Sequence, residues 1–72
     1  MAFQIIELTL DANDHVIDRK VVPYPYPTRK GAVEAVEEVT AGHARSGYDP
    51  EHNFWWAVTD DRDRLRFIIE AV

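Results

Sequence analysis

Asn53-Phe54-Trp55-Trp56-Ala57-Val58-Thr59-Asp60-Asp61-Arg62-Asp63-Arg64-Leu65-Arg66-Phe67-Ile68-Ile69-Glu70-Ala71 is the stretch whose reading decides the fold. Residues 53–59 are rich in aromatic and β-branched residues, and the charged residues Asp60 to Asp63 that follow suit a turn rather than a strand. Residues 64–71 then alternate, with Leu65, Phe67, Ile69 and Ala71 on one side and Arg64, Arg66, Ile68 and Glu70 on the other. A period of two is the signature of a half-buried strand. The stretch therefore predicts an antiparallel hairpin in which one side of each strand packs on a core.

A similar unit opens the chain. Phe3 to Leu10 reads as a strand, Asp11-Ala12-Asn13-Asp14 as a turn, and His15 to Val22 as a second strand. Asn and Asp bond their own backbone and accept left-handed geometry, which favours the turn. Pro23-Tyr24-Pro25-Tyr26-Pro27 lacks the N–H groups a central strand needs and reads as an extended spacer. Thr28 stands where a helix N-cap is wanted. From Arg29 to about Arg45, Ala32, Val36, Val39 and His43 form one helical stripe, Gly47 suits a left-handed C′ position, and Pro50 forbids continuation.

The expectation is one α+β domain over residues 1–72: a four-stranded antiparallel sheet (ββαββ) with one helix packed on one face. Strand orders 2-1-3-4 and 1-2-4-3 both keep every neighbour antiparallel. The inner face is expected to hold Ile6, Leu8, Leu10, Phe54, Trp56, Val58, Leu65, Phe67 and Ile69. In strand two, Ile17 and Val21 compete with Val16 and Val22 for the core, and a one-residue slip exchanges the faces.

In layout the chain resembles small bacterial domains of unknown function with a ββαββ arrangement. The resemblance rests on the turn at Asp11 to Asp14, the helix opening at Thr28, Asn53 to Val58, the acidic turn after it, and Arg64 to Glu70. It implies an architecture and no activity.

Composition narrows the function classes. The chain has 72 residues, no cysteine, 46% apolar residues and a net charge of −5. Without cysteine there is neither a disulfide nor a thiolate ligand or nucleophile. The average field repels phosphates, although a local basic patch can still bind them. No apolar run approaches the roughly 20 residues of a membrane span. The opening MAFQIIELTL has no basic region ahead of its apolar stretch, so it does not read as a signal peptide, and the expected location is cytoplasmic.

One helix covers one face of a sheet, and the expected open face carries Phe3, Ile5, Trp55, Arg64, Arg66 and Ile68. Large exposed apolar patches mark interfaces, and Trp and Arg anchor them. The leading reading is a non-enzymatic interaction domain, a homodimer or a binder of a protein partner through that face. The alternative is nucleic-acid or small-anion binding. Thr28, Arg29 and Lys30 would form an anion site at the helix N-terminus, and Trp55 with Arg64 and Arg66 would stack bases. His43, Asp49, Glu51 and His52 cluster in sequence but match no metal or catalytic spacing. No catalytic residue, metal ligand or cofactor is assigned.

Overall fold

The computed structural model describes residues 2–22 and 25–72. The elements run β1 (Phe3–Leu10), β2 (Val16–Val21), α1 (Arg29–Ala41), β3 (Arg45–Asp49), β4 (Phe54–Val58) and β5 (Arg64–Ala71). They form one helix and a five-stranded antiparallel sheet of order β2-β1-β5-β4-β3.

This order is neither of the two expected ones. The eight-residue strands β1 and β5 pair along their whole length, from Phe3 opposite Ala71 to Leu10 opposite Arg64. That full-length pairing places the two longest strands at the centre and moves β4 outward. The fifth strand occupies residues expected to finish the helix. The helix instead stops at Ala41, capped by Gly42, whose N–H turns back to the Val39 and Thr40 carbonyls. Gly47 is therefore a strand residue and not a C′ residue. The released segment pairs with β4 and brings Tyr48 opposite Trp55, ring centroids 4.6 Å apart.

The helix begins as the sequence predicts, with Thr28 accepting the Gly31 N–H at 3.1 Å. The chain ahead of it is pinned by Tyr26, which exchanges two 2.8 Å backbone hydrogen bonds with Phe3. Pro23 and Tyr24 of the expected spacer lie outside the described residues.

Beneath the helix, Ala32 and Val36 meet Ile5, Trp55, Ala57, Leu65 and Phe67, all buried. Phe3 and Ile69 pack against this cluster. Val39, expected in the core, is half exposed, and Thr40 is buried in its place. His43 follows the helix rather than belonging to its stripe.

The assignment of faces for β1 and β4 is a correction. Phe3, Ile5 and Trp55 lie under the helix and not on the open face. Ile6, Leu8, Phe54, Trp56 and Val58 lie on the open face and not under the helix. In β5, Leu65, Phe67 and Ile69 face the helix as expected, and the ladder forces the rest: Ile5 pairs with Ile69, and Trp55 with Phe67. Directly paired residues share a face. Ile6 and Leu10 are still buried, as expected, but on the side away from the helix. Ile6 lies there between Val21 and Ile68 in the ladder. Leu10 lies between Val16 and Arg64.

β2 supplies no buried residue to either face. The helix makes contact with β1, β3, β4 and β5 but not with β2. The register shifts between Thr9 and Leu10, so Val16 and not Ile17 stands opposite Leu10. Such a bulge twists an edge strand and limits further pairing.

Candidate functional site

The open face is ordered in three rows across the sheet. The ladder aligns Val21, Ile6 and Ile68 in the first, and pairs Phe54 with Asp49 on the same face. The second holds Arg19, Leu8, Arg66, Trp56 and Gly47, and the third Val16, Leu10, Arg64, Val58 and Arg45. Apolar residues form the floor, and arginines stand in the second and third rows. An arginine stem can lie along apolar surface while its guanidinium stays in water.

At one end of this face is a concavity of about 510 Å³, lined by Arg45, Trp56, Val58, Arg62, Arg64 and Arg66 among others. Four of the chain's eight Lys and Arg residues thus surround one indole in a protein of net charge −5. Arg64 pairs with Asp14 in the β1–β2 turn. The Arg66 guanidinium lies 4.8 Å from the Phe54 ring centroid. Among the described residues, Arg45, Arg62 and Arg66 form no ion pair. Their charge is available to a ligand.

Two backbone features hold the site. Gly47 stands opposite Trp56 in the β3–β4 ladder. A β-carbon there would come within 2.8–3.1 Å of three indole atoms, so the ring occupies that space. Arg62 has φ +67°, a left-handed conformation that suits Gly, Asn or Asp. The β1–β2 turn has the same pattern of hydrogen bonds, and there Asp14 takes the left-handed position at φ +63°. The second turn bears the less suited residue, and its side chain lines the cavity.

The other predicted site residues are placed elsewhere. Thr28 uses its hydroxyl to cap the helix, and Arg29 reaches Asn53 Oδ1 at 3.4 Å, the same oxygen that accepts the Tyr48 hydroxyl at 2.7 Å. Lys30 is exposed. Asp49 accepts the Glu51 and His52 backbone N–H groups at 3.0 and 3.2 Å, and its other oxygen lies 3.0 Å from His52 Nδ1. The hydrogen bond from His52 holds the Asp49 carboxyl below its ordinary value, against a smaller opposing effect of desolvation. Among the described residues no three His, Asp or Glu side chains come together as a metal-binding group. A second concavity, about 560 Å³, runs between α1 and β3 past Arg29, Glu37, Tyr48 and Trp55. It contains one cation and one acid and so has no strong sign.

Of the expected interface residues, Arg64, Arg66 and Ile68 share the open face, and the structure adds Trp56, Arg45 and Arg62 beside them. The alternation of residues 53–59 does not say which face Trp56 takes, the helical stripe runs on to Arg45, and three aspartates around Arg62 mask its charge.

The chain matches no protein-family model, no curated protein and no solved structure.

Proposed function

We propose that this is a small non-enzymatic interaction domain whose open sheet face binds a partner of negative charge. The observation that carries the reading is the separation of charge: half of the cationic side chains line one concavity around Trp56, in a chain with an excess of five acids. Clustered charge of one sign on a low-dielectric floor focuses the field and draws opposite charge even when the net charge is unfavourable.

The same distribution argues against a symmetric dimer through this face. A two-fold contact sets the same patch against itself, so arginines would meet arginines. Packing this face on the acidic helix of a second copy would give a heterologous contact, which builds rings or open filaments rather than a two-fold dimer. A partner outside this chain satisfies the charge without either cost.

Retention on immobilised heparin, a polysulfated chain, tests the reading. At pH 7 and low salt the protein should be retained despite its net charge and elute as salt rises. Arg45→Gln with Arg62→Gln should shorten retention. Flow-through of the wild type at low salt would overturn the proposal.

A further inference from the structure

We infer that the concavity around Trp56 is a nucleotide site, with the indole as the platform for a base and the arginine rim as the phosphate clamp. The inference rests on the anionic-partner reading above and names the ligand class. Trp56 and Val58, two apart on β4, form an apolar floor. Arg45 stands on the β3 side of that floor, Arg64 and Arg66 on the β5 side, and Arg62 in the β4–β5 turn. The ligand that matches this arrangement has a planar apolar body and anionic oxygens at its edge. A nucleobase with its phosphate is such a ligand, since bases stack on aromatic side chains and guanidinium groups bind phosphate oxygens in pairs. A concavity of about 510 Å³ falls within the usual range for small-ligand sites.

Two features of the backbone serve this arrangement. Gly47 leaves the space into which the indole settles against β3. Arg62 occupies a left-handed turn position that the sister hairpin gives to Asp14. Strain that persists at a side chain lining a cavity points to a role for that side chain. An acidic peptide would satisfy the arginines, but a carboxylate makes no use of a half-buried indole lining the cavity.

The test is tryptophan fluorescence at low salt, titrating the whole protein with adenosine monophosphate, a twelve-residue oligothymidylate and polyglutamate. Stacking on Trp56 should quench emission with either nucleic-acid probe. Trp56→Leu should weaken that binding roughly tenfold or more, with affinity then read by fluorescence anisotropy of labelled oligonucleotide. Arg45→Gln with Arg62→Gln, both at exposed positions, should weaken it and flatten its salt dependence. An unchanged thermal melt for each variant shows that the fold is intact. Saturation by the monophosphate as tight as by the oligonucleotide assigns a free nucleotide, and much tighter binding of the oligonucleotide assigns a single strand. Both support the site. Binding of polyglutamate alone would overturn the nucleotide site and leave the anionic-partner reading standing. No binding of any probe would overturn both.

Discussion

Gly47 and Trp56 face each other across β3 and β4, and the indole fills the volume that any other residue at position 47 would need for its β-carbon. The pair joins the fold to the site, because the absence of one side chain positions another. Gly47→Ala should displace the ring and destabilise the protein by about 1–3 kcal/mol, the usual cost of overpacking. In a Trp56→Ala background the same substitution should cost little. Urea unfolding of the four members of this cycle measures the coupling.

The two adjacent tryptophans should respond oppositely. Trp55 is buried beneath α1 and packed against the tilted Tyr48 ring, so Trp55→Ala should cost about 3–5 kcal/mol. That is a large part of the roughly 4–11 kcal/mol typical of a chain this size, so the variant should be largely unfolded or nearly so by circular dichroism. Trp56→Leu lies on the open face and should keep the fold. A folded Trp55→Ala beside an unfolded Trp56→Leu would mean that the faces are reversed.

Arg62 trades stability for charge at the site. Arg62→Asn puts a residue that tolerates φ near +67° into the turn and should stabilise the protein by about 0.5–1 kcal/mol. The same substitution should shorten retention on heparin. Thermal melts and salt elution, measured on one preparation, check both halves.

Asp49 should titrate below its ordinary value of 3.8, chiefly because His52 donates to it. A carboxyl whose folded value is depressed contributes stability above its unfolded value and loses it as pH falls through the folded one. His52→Ala should therefore raise the Asp49 value toward 3.8, followed by NMR of the carboxyl carbon, and should reduce the fall in stability on acidification.

The hairpins, the Thr28 cap and the helix start were legible because each rests on local chemistry: turn residues, a hydroxyl three residues ahead of an N–H, a stripe at helical spacing. Three features were not, because each depends on distant pairing. Trp55 and Trp56 are equally apolar neighbours, and only the ladder to Phe67 decides which turns inward. Arg45 to Asp49 carries no strong strand pattern and becomes a strand by pairing with β4. Its glycine suggests a helix end until the indole opposite is in view. Half of the arginine cluster was hidden for the same reason, since Arg45, Arg62, Arg64 and Arg66 come together only once β3, β4 and β5 lie side by side.

The central claim is that the arginine-rimmed face around Trp56 binds a nucleotide, with the base on the indole and the phosphate among the arginines. The most direct measurement is a ¹H–¹⁵N correlation titration of the wild type with single-stranded oligothymidylate at low salt. The account predicts shifts concentrated at the Trp56 indole N–H, Gly47, Arg45, Arg62 and Arg66, with the Trp55 indole nearly still. Shifts confined to Arg29 and Lys30 at the helix N-terminus, or a spectrum that does not change, would contradict it.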